Sequence, residues 1–203
     1  RLLSRGLGDV YKRQMEHDAC GVGLIASTEG KKSRNVVEYG IEALKAVWHR
    51  GAVDADGKTG DGAGIHVEIP KDFFIEKIEV TGHTHDSSDI CVGMIFLPRN
   101  DYAAQESCKT IVESELTKND FNIYGWRQVP VNPKVLGEKA FQTMPEIIQV
   151  LFKSHNKELT NKDLERKIYE TRRKIENEAF KKSLNNFYIC CLLYTSPSPR
   201  DRS

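Results

Sequence analysis

The sequence predicts an α/β protein, because segments with helical periodicity alternate with segments typical of strands. Apolar residues recur every three or four positions in 37–48 and again in 164–179, which places them on one face of a helix. Between these stretches, residues 90–97 form a nearly unbroken apolar run, as in a buried central strand. At 203 residues the chain is long enough for one sizeable core, and it shows no internal repeat. We therefore expect a single domain of the α/β class.

The first elements are a strand and a helix. Residues 22–26 are a short apolar run and are predicted to form a buried strand. Ser33 is suited to cap the helix that follows. Gly51 is expected to end that helix. The apolar face of the predicted helix comprises Val37, Ile41, Leu44 and Trp48.

The middle of the chain continues the alternation. Residues 65–69 alternate between apolar and polar side chains, which predicts a half-buried strand, and residues 71–78 suit a short helix. After the central strand, Asp101 is placed to cap a second long helix. Residues 121–129 are predicted to form a further strand. The apolar face of the second long helix comprises Ala104, Cys108, Ile111, Val112 and Leu116.

A third long helix and a last strand complete the predicted elements. Thr160 and Asp163 resemble a capping box at the start of this helix. Residues 186–190 are predicted to be a strand. One side of the helix carries Leu164, Ile168, Thr171, Ile175 and Ala179, and its other side is charged and expected to face solvent.

Both ends of the chain differ from the rest. Residues 4–14 and 191–201 can be read as translations of the two strands of one DNA sequence that resembles a sequencing adapter. The sequence TATAAGAGACAG encodes residues 11–14, and its reverse complement, read one base in, encodes the residues from Cys191 onward. We therefore expect residues 1–14 and 191–203 to be foreign to the gene, and we exclude them from fold reasoning.

Composition excludes several classes of function. A formal net charge of +1 gives no reason to expect nucleic acid or an anionic membrane as a partner. No apolar run approaches the roughly 18 residues of a membrane span. The five cysteines are spaced irregularly, which does not suggest a disulfide framework and suits a reducing cytosol.

One cysteine stands where a nucleophile could act. Cys20 lies just ahead of the apolar run at 22–26, and Gly21 and Gly23 leave no side-chain bulk beside its sulfur. Taken alone the pattern is weak, because a cysteine at the start of a strand is more often a small buried hydrophobe. His17 and Cys20 have the spacing of half a zinc site, but no second pair of ligands follows, so we expect no metal.

The glycine- and aspartate-rich loop 54–62 superficially resembles two known ligand-binding loops, an EF-hand and a Walker A loop. Counted from Asp54, the sixth position holds Thr59 where an EF-hand requires glycine. Lys58 and Thr59 are not preceded by the Gly-x-x-x-x-Gly of a Walker A loop. We therefore expect neither calcium nor nucleotide phosphate at this loop.

The chain resembles the class II glutamine amidotransferase domain of the glutamate synthases. The blocks that carry the resemblance are Cys-Gly-Val-Gly at 20–23, His-Arg-Gly-Ala at 49–52 and Thr-Gly-Asp-Gly-Ala-Gly at 59–64. Four more follow in order at 93–98, 125–131, 136–140 and 187–190. The resemblance covers residues 16–190, so residues 15–190 are expected to be a partial glutamine amidotransferase domain.

This resemblance implies the N-terminal-nucleophile hydrolase fold, an αββα sandwich of two mostly antiparallel sheets, here truncated, with Cys20 opening the first strand. It implies glutamine hydrolysis, with the ammonia passed to 2-oxoglutarate to form glutamate. Two alternatives stay open: an amidotransferase domain of another pathway, such as one making a purine intermediate, and a catalytically silent domain of the same fold.

The resemblance also assigns roles to residues. Proteolytic maturation would make Cys20 the N-terminal residue, so that its thiol attacks glutamine and its α-amine acts as the base. Arg50 is expected close to the cysteine. The residues expected to shape the site or bind substrate are Gly21, Gly23, Asp61 and Gly62.

Further implications concern the longer parent protein. No cofactor is expected in this chain, whereas FMN and an iron–sulfur cluster are implied for the full-length parent. The implied partners are glutamine, the synthase domains of the same polypeptide and a small reductase subunit, and the implied location is the cytoplasm, or a plastid in a eukaryote. The family's Asn-Gly oxyanion block and its carboxylate-binding arginine do not occur in this sequence, so we expect the chain by itself to be inactive.

Overall fold

A computed structural model describes residues 22–60, 62–84, 90–156 and 158–194, with the backbone alone described for Arg50 and 191–194. These residues form two compact units. The first unit combines the residues up to Val67 with Val135–Ala140. The second unit contains Glu68–Lys134 and the residues from Phe141 onward.

The first unit contains one long helix, α1 (Arg34–Ala46), followed by a 3₁₀ turn at Trp48–Arg50. The Ser33 hydroxyl oxygen accepts a hydrogen bond from the Asn35 N–H at 3.2 Å, which confirms Ser33 as the N-cap. Gly51 was expected to end α1, but the helix ends four residues earlier, at Ala46. Gly51 instead closes the 3₁₀ turn, and its φ of −82° is open to any residue.

Two strands predicted in this part of the chain are not formed. Residues 22–26 were predicted to be a buried strand, but they are extended chain without a strand partner, and Leu24 is 89% exposed. Residues 65–69 likewise form no strand. A strand needs a neighbour for its N–H and C=O groups, and no described segment pairs with either stretch.

The second unit is built on a four-stranded sheet, in which every neighbouring pair is antiparallel and the order is β2-β3-β1-β4. The strands are β1 (Cys91–Leu97), β2 (Phe121–Gln128), β3 (Glu146–Ser154) and β4 (Tyr188–Tyr194), and the helices are α2 (Lys71–Val80), α3 (Tyr102–Lys118), α4 (Glu138–Thr143, which begins in the first unit) and α5 (Asn161–Lys181). A second 3₁₀ turn spans Pro133–Val135.

Helices cover both faces of this sheet. Side chains of α3 and α5, including Leu116 and Ile175, share a buried cluster with Ile95 and Phe152 of the two central strands. On the opposite face, Ile78 of α2 packs in a second cluster with residues from β1, β2 and β3. All five residues predicted for the apolar face of α5 are buried.

The α/β class with an antiparallel sheet is confirmed, as are two further helix caps. The Asp101 carboxylate accepts from the Ala104 N–H at 2.9 Å, and the Thr160 hydroxyl oxygen accepts from the Asp163 N–H at 3.2 Å. The described residues contain one sheet where the resemblance implied two. The last strand runs past Cys190, and its pairing with β1 shifts register after that residue.

No helix among the described residues has the length and apolar character needed to cross a membrane.

Candidate functional site

The predicted site residues are only partly described. Cys20, Gly21 and Asp61 lie outside the described residues, as does the side chain of Arg50. Gly23, Gly62 and the backbone of Arg50 are described. The contacts of the thiol and of the guanidinium therefore stay predictions, and the structure describes the segments that neighbour these residues in the sequence.

Gly23 lies in open extended chain. A Cβ at this position would meet no atom within 4 Å. The residues on either side are among the most exposed apolar side chains of the described chain, with Val22 at 94% and Leu24 at 89%. The described structure brings no other predicted site residue against Gly23.

The backbone of Arg50 is fixed at the end of the 3₁₀ turn that follows α1. The Gly51 N–H donates to the Trp48 carbonyl oxygen at 3.0 Å and closes this turn. The α1 face predicted to be apolar is half-buried at Val37, Ile41 and Leu44, whereas Trp48 is 75% exposed. Trp48 therefore lies beyond the helix and does not extend its packed face.

Residues 53–60, which we call the site turn, form a closed β-turn structure three residues after Arg50. Val53 and Gly60 form an antiparallel bridge, and the Asp54 N–H donates to the Thr59 carbonyl oxygen at 2.8 Å. At the tip, Gly57 adopts a φ of +67°, which glycine adopts without steric cost. The turn is thus an ordered element and not a loose loop.

The Asp56 carboxylate organises the inside of the site turn. One oxygen accepts from the backbone N–H groups of Lys58 at 2.9 Å and Thr59 at 2.7 Å, and the other accepts from the Thr59 hydroxyl at 2.5 Å. The Glu138 backbone N–H also favours the ionised form of this carboxylate, as the smallest of these influences. These donors favour the ionised form and lower the pKa of Asp56 to about 2, with the Thr59 hydroxyl the largest cause.

A distant segment, Gly137 to Lys139, packs against the site turn within the same unit. The Lys139 ammonium lies 2.5 Å from an Asp54 carboxylate oxygen, across 85 positions of sequence. A Cβ on Gly137 would overlap side-chain oxygens of Thr59 and Asp56, so only glycine fits there. Sequence reasoning missed these contacts, because no local pattern links a lysine to an aspartate so far away.

Gly62 follows the site turn and has a φ of +93°, in the region that side-chain-bearing residues rarely adopt. A Cβ there would meet no atom within 4 Å, so the backbone conformation and not crowding favours glycine. This conformation suits a residue that redirects the chain.

The described residues contain no group of three or more histidine, cysteine or acidic side chains placed to hold a metal ion. Carboxylates that could act as ligands are already engaged: Asp54 pairs with Lys139, and Asp56 accepts hydrogen bonds from its own turn.

The described cysteines include two that are unsuited to nucleophilic attack. Cys91 and Cys108 are fully buried, which confirms that they belong to the core. Burial raises the pKa of Cys108 to about 11, with a smaller contribution from the Asp101 carboxylate, so its thiolate is scarce at neutral pH. Cys190 is half-buried in β4.

Comparison with known proteins places the chain in one family. Residues 20–196 match the family model of the class-II glutamine amidotransferases. The chain is 53% identical over 184 residues to the glutamate synthase [NADPH] large chain of Azospirillum brasilense, covering 91% of this chain and 12% of that protein.

Two further relatives are ferredoxin-dependent enzymes. The chain is 39% identical over 179 residues to ferredoxin-dependent glutamate synthase 1 of Arabidopsis thaliana, with 87% of this chain and 11% of that protein covered. It is also 39% identical over 179 residues to ferredoxin-dependent glutamate synthase of Cyanidium caldarium, with 86% and 11% covered. The chain thus spans about an eighth or less of the length of these relatives.

Proposed function

The chain belongs to the class-II glutamine amidotransferases, and from that membership we propose that it is the glutaminase part of a glutamate synthase. The observation that carries this proposal is the 53% identity to a glutamate synthase large chain over 91% of this chain. The family match also begins at residue 20, the position of the proposed nucleophile.

The proposed chemistry uses Cys20 as the N-terminal residue of the matured protein. Its α-amine takes the thiol proton, and the sulfur attacks the carboxamide carbon of the glutamine side chain. The C–N bond then breaks, and the proton passes to the leaving nitrogen, so that ammonia departs and a γ-glutamyl thioester remains. Water hydrolyses the thioester to glutamate and restores the thiol.

Maturation is essential to this proposal. While residue 19 is still attached, the nitrogen of Cys20 belongs to an amide and cannot accept a proton. A free α-amine titrates near pH 8, close enough to neutrality to act as a base, and it is held within reach of its own thiol.

The other predicted residues are proposed to position and stabilise the reacting groups. The Arg50 cation would lie near the sulfur and favour its thiolate form. Gly21 and Gly23 would let substrate approach Cys20 without side-chain obstruction. Asp61 and Gly62 would shape the loop that covers bound glutamine, a role that the positive φ of Gly62 supports.

We propose that residues 15–190 are the part of the chain that belongs to this domain, with residues 1–14 and 191–203 foreign to it. In the longer parent protein, ammonia would reach 2-oxoglutarate in synthase domains of the same polypeptide. There, FMN and an iron–sulfur cluster would pass on electrons delivered by a small reductase subunit. A cytoplasmic location, or a plastid one in a eukaryote, fits the use of free cysteines.

A chimera tests the proposal without requiring the rest of the gene. Residues 15–190 replace the matching segment of the Azospirillum brasilense large chain, and ammonia release from glutamine is measured. We expect glutaminase activity that Cys20→Ser abolishes and that Cys190→Ser, the matched control, preserves.

Two results would contradict the proposal. Ammonia release that survives Cys20→Ser would exclude Cys20 as the nucleophile. A correctly folded chimera with no glutaminase activity, although it still forms glutamate from added ammonia, would favour a catalytically silent domain of the same fold.

A further inference from the structure

The site turn connects two stretches that the proposed function requires. Arg50 lies three residues before Val53, and Gly62 lies two residues after Gly60. Contacts that hold residues 53–60 in place therefore restrict the adjoining backbone on both sides. The site turn thus lies between the backbone of Arg50 and that of Gly62 in the sequence.

The site turn has little support of its own. Its two arms share a single antiparallel bridge, between Val53 and Gly60. An isolated two-stranded hairpin is at best marginally stable in water, and the two arms of this turn are paired by one bridge only. The hydrogen bonds to Asp56 order the tip but do not tie the turn to the rest of the unit.

The external support comes from residues 137–139, which lie against the turn through an ion pair and a close backbone approach. The Lys139 ammonium pairs with Asp54 at 2.5 Å, near the start of the turn. The Glu138 backbone N–H adds a weak electrostatic influence that favours the ionised Asp56 carboxylate. Gly137 is buried against the backbone nitrogen and hydroxyl of Thr59, where a Cβ would overlap.

The contacts of Lys139 and Gly137 differ in strength. The ion pair is exposed, with the Lys139 side chain 69% accessible, and exposed pairs contribute little because solvent screens them. The contact at Gly137 is steric. A Cβ at this position would overlap the backbone nitrogen of Thr59, which cannot move aside as the end of a flexible side chain could. Gly137 is therefore the residue on which the apposition depends most.

We propose that residues 137–139 are a clasp that holds the site turn and thereby positions the loop carrying Arg50 and Gly62 for glutamine binding. Gly137 and Lys139 are positioning residues in this proposal, since neither is placed on the substrate. The catalytic consequence rests on the proposed glutaminase function, whereas the clasp itself is a property of the described chain.

The first test needs no activity. Lys58 is exposed at the tip of the site turn, so trypsin can cleave after it when the turn opens. We expect Gly137→Ala to raise the rate of cleavage at Lys58 about tenfold or more, because a larger fraction of molecules has an open turn. Gly40→Ala is the matched control, since a Cβ at Gly40 meets no atom within 4 Å.

Mass spectrometry of the fragments assigns the cleavage to the Lys58–Thr59 bond. Equal rates at this bond in Gly137→Ala and Gly40→Ala would overturn the clasp. The clasp would also be overturned if Gly137→Ala raised cleavage uniformly across the chain, because uniform cleavage indicates general unfolding and not opening of the turn.

The second test measures catalysis in the chimera. We expect Gly137→Ala to lower kcat/KM for glutamine about 10- to 100-fold, mainly through a higher KM, because the loop that binds glutamine is misplaced. Glutamate formation from added ammonia should keep its rate, since it bypasses the glutaminase site. Lys139→Met should cost about two- to fivefold, and Lys139→Arg should restore the parent value.

The two tests separate failure of the clasp from failure of the proposed function. An unchanged KM for glutamine in Gly137→Ala, or an equal loss of the glutamine- and ammonia-dependent reactions, would overturn the positioning role. An unsubstituted chimera that releases no ammonia would contradict the proposed function instead, and the proteolysis result would still decide the clasp.

Discussion

Replacing Ile175 by alanine should destabilise the second unit by about 3 kcal/mol, within the range of about 2–5 kcal/mol measured for such changes in protein cores. Ile175 lies in α5, has no exposed surface and belongs to the larger of the two buried clusters. The substitution removes three carbon atoms, worth about 0.8 kcal/mol each in transfer free energy, and leaves a cavity that adds to the cost.

The free energy of unfolding is measured by urea denaturation, followed by tryptophan fluorescence. Trp126 in β2 reports on the second unit, and Trp48 is 75% exposed, so Trp48→Phe removes the other reporter at little cost. Phe180→Ala is the matched control, because Phe180 lies in the same helix and is 83% exposed.

The control should change the free energy of unfolding by less than about 0.5 kcal/mol. A loss below about 1 kcal/mol for Ile175→Ala, or equal losses for the two variants, would refute the placement of α5 against the sheet.

Two further predictions concern titratable groups. Iodoacetamide at pH 8 should leave Cys108 unmodified in the folded chain and modify it in urea. Burial raises the pKa of Cys108 to about 11, so the folded state holds this proton more tightly than the unfolded state does. The free energy of unfolding should therefore fall as the pH rises above about 9. The Asp56 carboxyl should titrate by NMR near pH 2, so its stabilising contribution should be present above about pH 3.8 and lost as the pH falls from there toward 2. Labelling of Cys108 in the folded chain, or an Asp56 midpoint at 3.8 or above, would contradict these assignments.

Helices were the best predicted elements, because their signals are local. The apolar face of α5 recurs at five positions between Leu164 and Ala179, and the helix starts at a recognisable cap, Thr160, so its start and its buried side followed from the sequence. Ser33 and Asp101 marked the starts of α1 and α3 for the same reason. Caps and periodicity depend on neighbours three or four residues away, which a sequence displays directly.

Strands were predicted less well, because they depend on partners elsewhere in the chain. Residues 22–26 have strand composition but no described partner, and they remain unpaired and exposed. Conversely, β3 was not predicted, although it lies between β1 and β2 in the sheet. Its sequence lacks a clean alternation because residues on both faces are buried, Leu151 in one cluster and Phe152 in the other.

In the candidate site, too, local features were predictable from the sequence and contacts between distant segments were not. The blocks around Cys20 and Arg50 were recognised by resemblance, and the turn character of 54–62 followed from its glycines and aspartates. The contact of Gly137 with Thr59 could not be anticipated, because it joins segments about 80 residues apart through the absence of a side chain.

Cys20 is proposed to act as the N-terminal residue of the mature enzyme, so the N-terminus of the active chimera is the decisive measurement. Purified active protein is analysed by N-terminal sequencing and by mass spectrometry of its first peptide. We expect the chain to begin at Cys20 and Cys20→Ser to abolish ammonia release from glutamine. Full activity in protein that still carries Ala19 would contradict it, because the nitrogen of Cys20 would then be an amide that cannot take the thiol proton.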